Sequence, residues 1–346
     1  MSAQKVYLEL TNRCNLSCSI CYRKTWEYEA YDMKKETLNK ALKQIEDIPG
    51  VREIVLGGIG EPTFAENAED IMRDIKDYHL TLTTNGTLIE GTMAETIVDT
   101  IDHVIISIDG MSENFYKIRG FSLEKIIENV SRLNQIKQAK ASKTPLISFQ
   151  MVVSRTNEAD ILRLIDLASE LKVYQVIISN LLPATKEDQA LVLYTRYENR
   201  EMNKLFQKVR NYSLRRGLEV KLPAYQLKTE RRCRFIEDDA TMITASGDVV
   251  PCYRFAHDGT EVVYGRQKTI KSHTFGNINH QTLEEIYNGP AYEKYRSVVL
   301  NNHYPSCIDC DLADGCDMVR DAIADCYGNT PSCADCLWSR NLIYCI

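Results

Sequence analysis

The stretch LELTNRCNLSCSICYRK, from Leu8 to Lys24, gathers three cysteines within eight residues. It follows an apolar, β-branched run and places Cys14, Cys18 and Cys21 in the spacing C-x3-C-x2-C. A closed zinc site takes four protein ligands, so this loop is one ligand short. Three thiolates suit instead a [4Fe–4S] cluster in which one iron is left open to another ligand. A zinc site completed by a distant fourth ligand is the alternative.

The twelve cysteines are distributed unevenly along the 346 residues. Three lie before residue 22, none lies between Tyr22 and Arg232, and nine lie between Cys233 and Cys345. A long chain without a signal-peptide pattern is not expected to be a secreted disulfide scaffold. Clustered thiols in a reducing compartment indicate metal or redox chemistry. We therefore predict a cytoplasmic protein with an ordinary folded scaffold in its cysteine-free middle.

The composition bounds the possible partners. The net charge is −6, and 44% of the residues are hydrophobic. An acidic balance argues against a broad nucleic-acid or anionic-membrane surface, and no apolar run approaches the roughly 20 residues of a membrane span. We expect neither nucleic acid nor membrane as a partner.

Short β-branched runs alternate with helical patterns over the first half of the chain. The candidate strands are residues 5–10, 52–56, 80–84, 103–108, 146–153 and 174–179. Such alternation predicts a parallel sheet covered by helices. Periodicity alone leaves two arrangements open, an open doubly wound sheet and an incomplete (β/α) barrel. Asn157 is predicted to cap the helix that follows the fifth strand, and residues 181–217 are predicted to be a helical connector.

Polar and glycine-rich motifs follow the strands, where parallel sheets gather their chemistry. GGIGEP (57–62) follows the second strand, TNGT (84–87) the third, and SIDG (107–110) the fourth. Without further context, a tight strand-to-helix turn is the better explanation of the glycines.

The cysteine motif, followed by the aromatic Tyr22, resembles the signature of the radical S-adenosylmethionine (radical SAM) superfamily. This resemblance implies a partial (β/α)6, TIM-like barrel whose cluster is completed by the amino and carboxylate groups of SAM. It assigns cofactor contacts to Tyr22 and to the motifs at the strand ends. Gly58, Gly60 and Glu61 would receive the SAM amino group, although Ile59-Gly60 departs from the commoner G-G-E-P. The carboxylate or ribose contacts would come from Ser107, Asp109 and Arg119, for which a strand-end turn and a surface ion pair are the alternatives.

The C-terminal cysteines carry a second pattern. Cys233, Gly247 and Cys252 give C-x13-G-x4-C, and Cys307, Cys310 and Cys316 give C-x2-C-x5-C. With the segment FGNINHQTLEEIYNGPAYEKYR (275–296), these resemble the SPASM extension of radical SAM maturases. The resemblance implies two auxiliary [4Fe–4S] clusters, and a division into a barrel with connector (1–217) and a cluster-binding domain (218–346). Zinc is the alternative metal, because C-x2-C pairs also bind zinc.

The usual SPASM pattern has a fourth cysteine where this chain has Arg320. Four further cysteines follow, so nine are present for eight ligand positions: Cys326, Cys333, Cys336 and Cys345. Spacing does not decide which cysteine is spare, or whether one cluster keeps an open site.

The closing segment ADCYGNTPSCADCLWSRNLIYC resembles radical SAM proteins proposed to mature tungsten-containing oxidoreductases. Tyr253 follows Cys252 where sulfatase maturases have Asp, which disfavours that role. The resemblance implies that an electron from a ferredoxin-like donor cleaves SAM to methionine and a 5′-deoxyadenosyl radical. The substrate would be a protein, peptide or cofactor, with a tungsten oxidoreductase favoured. The alternatives are a maturase of a ribosomally made peptide and a zinc-stabilised, non-enzymatic scaffold.

Overall fold

The structure is a computed structural model that describes residues 2–26 and 28–344, so Cys345 lies outside the described residues. The strands are β1 Lys5–Leu8, β2 Glu53–Leu56, β3 His79–Thr84, β4 His103–Ser107, β5 Leu146–Val153, β6 Gln175–Asn180, β7 Glu219–Lys221, β8 Ala240–Ile243, β9 Asp248–Val250, β10 Gly259–Val263, β11 Arg266–Ile270 and β12 Gly276–Asn277. A ten-stranded sheet forms the centre, in the order β12-β9-β8-β1-β2-β3-β4-β5-β6-β7, and β10 and β11 form a separate hairpin.

Helices connect the parallel strands. The α-helices are α1 Lys35–Glu46, α2 Ala68–Asp74, α3 Gly91–Thr100, α4 Ser112–Arg119, α5 Leu123–Ala139, α6 Ile161–Glu170, α7 Lys186–Gln189, α8 Arg200–Arg215, α9 Arg234–Glu237, α10 Leu283–Tyr287 and α11 Pro290–Leu300. Within the two described ranges, none of the helices is both long and apolar enough to cross a membrane.

The order of the first six strands confirms the predicted α/β fold and favours the barrel-type arrangement over the doubly wound one. Strands β1 to β6 pair in sequence, all parallel. Because each crossover connection is right-handed, adding every new strand on the same side places the helices on one face and curls the sheet. A doubly wound sheet would instead reverse its strand order near the middle.

The two faces of the sheet are buried against different parts of the chain. Leu8 and Ile54 belong to the main core beneath the helices. Tyr7 and Val55 point to the opposite face, because successive strand residues alternate. There they pack in a second cluster with residues from the C-terminal region, Phe235, Met242 and Val250. The C-terminal region therefore covers this face of the sheet at β1 and β2.

Segments beyond the six predicted strands extend the sheet at both edges. Strand β7 pairs parallel to β6 directly after the predicted connector, and β8 pairs parallel to β1. Strands β9 and β12 continue from β8 in antiparallel pairing. Residues on both sides of the predicted 217/218 boundary thus share one sheet, and the division into two domains stays a prediction.

Candidate active site and cysteine groups

The three-cysteine loop lies at the carboxyl end of β1, and the Arg23 side chain stabilises it by binding backbone carbonyls. Arg23 Nη1 donates to the Asn12 carbonyl at 2.9 Å, and Arg23 Nη2 donates to the Leu16 carbonyl at 3.3 Å. Cys14 Sγ accepts from the Leu16 backbone N–H at 3.4 Å and from Asn85 Nδ2 at 3.7 Å. Donors aimed at sulfur suit a thiolate ligand, because such hydrogen bonds stabilise its negative charge.

Burial disfavours free thiolates in this loop. It raises the pKa of Cys18 to about 11 and also raises the pKa of Cys14. A bound metal reverses this preference, since a coordinating thiol is deprotonated outright. The donor set therefore fits a metal centre such as the cluster that the motif predicts.

The loop faces a cavity of about 240 Å³ at the carboxyl ends of the parallel strands. The wall includes all three cysteines and every predicted SAM contact except Tyr22: Cys14, Cys18, Cys21, Gly58, Gly60, Glu61, Ser107, Asp109 and Arg119. Tyr22 lies elsewhere, with its ring against Trp26 and Trp338. Ile20 lines the cavity from the same loop.

The glycine-rich segment lies directly against the cysteine loop. A Cβ at Gly60 would stand 2.1 Å from the Thr11 carbonyl oxygen, which no side chain tolerates. Gly58 adopts φ +110°, a conformation that L side chains rarely adopt. The Glu61 backbone N–H donates to the Arg13 carbonyl at 2.7 Å. Gly60 is thus required by close backbone approach and Gly58 by its backbone conformation, whichever ligand the cavity takes.

The Glu61 carboxylate is fully buried and heavily hydrogen-bonded. Its Oε1 accepts from the Thr63 backbone at 3.1 Å, from Thr63 Oγ1 at 2.6 Å and from Thr84 Oγ1 at 2.7 Å. Its Oε2 accepts from the Asn85 backbone at 2.6 Å. Burial raises the pKa of Glu61, while these hydrogen bonds act in the opposite direction. Glu61 ties the ends of β2 and β3 together, and Oε2 retains acceptor capacity for a ligand.

Asp109 and Arg119 form a buried ion pair on the opposite wall. Arg119 Nε donates to Asp109 Oδ2 at 2.8 Å, and Asp109 Oδ1 accepts from the Val152 backbone at 2.7 Å. Burial lowers the pKa of Arg119, but Asp109 and the neighbouring Cys18 thiol outweigh burial and raise it. The guanidinium therefore stays charged close to the cysteine loop.

Asn157 lies beneath this pair, and its predicted capping role is wrong. Its side chain makes no capping bond; Nδ2 donates instead to the carbonyls of Asp109 at 3.1 Å and Val152 at 2.9 Å. The amide thus ties the segment after β4 to the end of β5.

The structure adds polar residues that sequence reasoning missed. Asn85 donates to Asn15 Oδ1 at 2.8 Å as well as to Cys14, and the TNGT motif was the signal that contained it. Glu9 is buried beside Gly58, and His257 Nε2 lies 3.0 Å from its carboxylate. No local pattern pairs Glu9 with His257, because they are 248 residues apart.

The C-terminal cysteines form two groups. In the first group, Cys233, Cys252 and Cys336 pack against the main core that contains the buried Cys333. Burial, together with the Cys336 thiol, raises the pKa of Cys233 to about 12. The Tyr295 hydroxyl and Cys333 Sγ are hydrogen-bonded at 3.1 Å. We call Cys233, Cys252, Cys333 and Cys336 the inner thiol group.

The second group lies nearer the surface. Cys307 is buried, Cys316 packs on its cluster, and Cys310 and Cys326 are exposed. Burial raises the pKa of Cys307 to about 11, and the Cys326 and Cys310 thiols act in the same direction. We call Cys307, Cys310, Cys316 and Cys326 the outer thiol group.

A buried charge network lies near thiols of both groups. Arg254 pairs with Glu261, and its Nη2 donates to Asp335 Oδ1 at 3.0 Å, while Lys268 pairs with the other Asp335 oxygen. All four side chains are at most 2% exposed. Asp335 lies between Cys333 and Cys336 in sequence. Burial and then Asp335 raise the pKa of Cys307 in the outer group. The network thus contacts the surroundings of both groups.

The thiols are grouped without converging on one ion. Across residues 2–26 and 28–344, no three Cys, His, Asp or Glu side chains are positioned to hold a single metal ion. Each group nevertheless supplies four thiols, which is the donor set that a [4Fe–4S] cluster takes.

Comparison with known proteins assigns the class. The model of the radical SAM superfamily matches residues 8–182, and the model of the SPASM iron–sulfur cluster-binding domain matches residues 233–311. The chain belongs to the radical SAM superfamily and carries a SPASM domain. It is therefore a radical SAM enzyme, whose family cofactors are SAM and iron–sulfur clusters.

A full-length relative narrows the assignment. The chain is 36% identical to the tungsten-containing aldehyde ferredoxin oxidoreductase cofactor-modifying protein of Pyrococcus furiosus, over 98% of this chain and 96% of that protein. A probable GTP 3′,8-cyclase of Pyrococcus abyssi is 29% identical over 58% of this chain and 65% of its own length.

Solved structures share the fold. Streptococcus suis SuiB bound to S-adenosylmethionine has a TM-score of 0.63 at 18% identity, covering 91% of this chain and 72% of SuiB. The anSMEcpe structure with bound AdoMet has a TM-score of 0.60 at 17% identity, covering 89% of this chain and 84% of that one.

Proposed function

We propose that this radical SAM enzyme acts as a maturase in the formation of a tungsten-cofactor oxidoreductase. The observation that carries the proposal is the 36% identity over nearly the whole of both chains, because such coverage includes the cysteine-rich region as well as the barrel. The proposal uses a ferredoxin-like electron donor, since reducing SAM requires a low potential, and a cytoplasmic location.

We infer that Cys14, Cys18 and Cys21 hold the SAM-cleaving [4Fe–4S] cluster and that the cavity beside them holds SAM. With one electron from the donor, the bound cluster and SAM would supply a 5′-deoxyadenosyl radical for hydrogen abstraction from substrate, with methionine as the co-product. The chain's own residues position the cofactor. The Gly58–Glu61 backbone and Glu61 Oε2 offer acceptors for an ammonium group, and Arg119 offers a guanidinium for a carboxylate.

The inner and outer thiol groups are proposed to hold one auxiliary [4Fe–4S] cluster each. They supply four thiols apiece, so Cys345 becomes the ninth, spare cysteine. The division into a barrel with connector (1–217) and a cluster-binding domain (218–346) remains part of this proposal.

The test begins with anaerobically purified protein, its metals and its reductant-dependent 5′-deoxyadenosine formation. We expect iron and labile sulfide, and loss of SAM cleavage in Cys14→Ala, Cys18→Ala and Cys21→Ala. The matched control is Cys345→Ala, which we expect to cleave SAM normally. Stoichiometric zinc without iron would favour the zinc scaffold, and cleavage at the wild-type rate in a loop variant would refute the cluster assignment.

The substrate is tested by co-expression. A tungsten oxidoreductase produced with the wild-type chain should be active, and one produced with the Cys18→Ala variant should accumulate inactive with altered cofactor mass. If the oxidoreductase matures equally with both, the tungsten role is wrong. A precursor peptide whose mass changes only with the wild-type chain would establish the peptide-maturase alternative.

A further inference from the structure

Tyr22 is the residue where the cysteine loop turns away from the cavity. It directly follows Cys21 and begins a 3-10 helix, Tyr22–Thr25. Its ring makes edge contacts with Trp26, at 5.8 Å between centroids, and with Trp338, at 6.3 Å. Trp338 comes two residues after Cys336 of the inner thiol group. Tyr22 therefore joins the loop of the first cysteine motif to the surroundings of the inner group.

The segment around Tyr22 is fixed against the C-terminal region. The Thr260 backbone N–H donates to Thr25 Oγ1 at 3.1 Å, and a Cβ at Gly259 would stand 2.6 Å from the Trp26 ring. Trp26 also stacks on His257 with centroids 4.4 Å apart. Because this contact region is tightly packed on strand β10, the Tyr22 ring has little freedom to turn.

The Tyr22 hydroxyl is buried with its hydrogen-bonding capacity unused. It has no hydrogen-bond partner in the part of the chain that the structure describes. Burial raises the pKa of Tyr22 well above its usual range, with Glu261, Cys252 and Cys336 acting in the same direction and Arg254 opposing them. An unpaired buried hydroxyl is costly, so a structure normally provides it with an acceptor.

A cluster held by the inner thiol group would bring such an acceptor. Its thiolates and sulfides are the negatively charged acceptors expected among Cys252 and Cys336, and a phenol donates to them readily. Tyr295, which is hydrogen-bonded to Cys333, shows that this group already uses a phenol at one of its thiols.

We propose that the Tyr22 hydroxyl donates a hydrogen bond to a sulfur of the auxiliary cluster held by the inner thiol group. Tyr22 is then a positioning residue that stabilises the reduced, more negative cluster and raises its reduction potential. The inference rests on the proposed placement of that cluster, and it separates Tyr22 from the SAM contacts expected from the sequence.

The test is an anaerobic redox titration of full-length Tyr22→Phe, followed by EPR. Removing only the hydroxyl should change the reduced-to-oxidised ratio of the inner cluster by roughly tenfold, which is a shift of about 59 mV to lower potential. The potential of the cluster on Cys14, Cys18 and Cys21 should stay within error. Iron content is measured in parallel, and it should equal that of the wild type.

Two further variants calibrate the shift. Tyr295→Phe removes the hydroxyl already bonded to Cys333 and should lower the same potential. Tyr194→Phe removes another buried hydroxyl that lacks a hydrogen-bond partner within the described ranges. Burial, Tyr264 and Glu261 raise the pKa of Tyr194, and neither residue belongs to the inner thiol group. This variant should therefore leave the cluster potential unchanged.

Three outcomes would overturn the proposal. An unmoved inner-cluster potential in Tyr22→Phe, with full iron content, shows that the hydroxyl does not reach the cluster. Weaker SAM binding with an unmoved potential would favour a SAM contact by Tyr22. If the wild-type protein cleaves SAM but holds no iron at the inner thiols, the proposed acceptor is absent while the radical SAM function stands.

Discussion

Arg119 and Asp109 hold each other at the wall of the cavity, with Arg119 Nη2 2.5 Å from Asp109 Oδ2 and the two side chains 11% and 0% exposed. Both charges are out of bulk water, so each depends on the other. This pair fixes the guanidinium beside Cys18, where it could pair with a carboxylate of a bound cofactor.

Arg119→Met should destabilise the protein strongly. It leaves the Asp109 charge buried and unpaired, which costs about 3–5 kcal/mol of unfolding free energy. Urea denaturation of the variant and the wild type under identical anaerobic conditions measures the difference. Lys117→Met is the matched control, because the Lys117–Glu113 pair on the same helix is exposed and should contribute nothing measurable. Similar stability of the two variants would contradict the assignment of a buried pair.

Glu61→Gln should weaken SAM binding and also lower stability. Loss of a charge-assisted contact costs roughly 1.5–3 kcal/mol, or about tenfold or more in affinity. In addition, the amide N–H of the new side chain would face a hydrogen-bond donor, either Thr84 Oγ1 or the Asn85 backbone N–H, from which the Glu61 carboxylate now accepts. Calorimetric titration with SAM measures the first effect and urea denaturation the second. The exposed neighbour Glu66 supplies the control variant Glu66→Gln. Unchanged SAM affinity with reduced iron content would show that Glu61 supports the cluster loop and not SAM.

The cysteine partition predicts iron content. Three [4Fe–4S] clusters amount to about twelve irons per chain. Cys310→Ala and Cys336→Ala should each lose about four irons from different clusters, while Cys345→Ala should keep about twelve. Iron analysis and EPR of each variant measure this. Loss of a cluster in Cys345→Ala would mean that the ninth cysteine is a ligand.

Point substitutions are preferred to truncation for this purpose. A chain ending before residue 231 would lack β8 and Phe235, and so would expose the β1 edge and Tyr7.

His103 should make stability depend on pH. Burial lowers the pKa of His103 from 6.5 to about 4. Lys221, His79 and Lys5 act in the same direction, and Glu53 opposes them. Between pH 4 and pH 6.5 the native state therefore binds fewer protons than the unfolded chain. The His103 contribution to the free energy of unfolding is fully present above pH 6.5 and is lost as the pH falls towards 4. This loss amounts to at most roughly 3 kcal/mol.

His103→Gln tests this dependence because it keeps a side chain able to hydrogen-bond to Ser148, which lies 2.7 Å from His103 Nε2. Urea denaturation at pH 7.5 and pH 5 should show a smaller loss of stability in the variant than in the wild type. The exposed His280 provides the control variant His280→Gln. Equal losses in all three proteins would rule out His103 as the titrating group.

The local sequence predicted the six strands of the barrel because their apolar alternation is a short-range property. The strands at positions 146–153 and 103–107 match their predicted bounds closely. The extension by β7, β8, β9 and β12 was not predicted, since pairing between β1 and β8 depends on segments far apart in sequence. Periodicity reports which residues form a strand, but not which strand lies beside it.

The site was predictable to the extent that its residues sit in contiguous motifs. The cysteine loop, GGIGEP and the end of β4 meet around one cavity because parallel strands end at one edge. The grouping of Cys333 and Cys336 with Cys233 and Cys252 was not predictable from spacing. The Arg254–Asp335 hydrogen bond holds the segment of Cys333 and Cys336 beside the segment of Cys252, and no local pattern signals this contact.

Strand β1 is flanked by parallel neighbours on both sides, with Lys5 opposite Glu53 in one and Ala240 in the other. During synthesis the first neighbour emerges early, whereas the second emerges only after most of the chain has been made. Until then β1 presents an unpaired edge, which is a template for association with other chains. We expect the nascent protein to need chaperone protection through that interval. Its slowest folding step should be the docking of β8, because so long a loop must close before that contact can form.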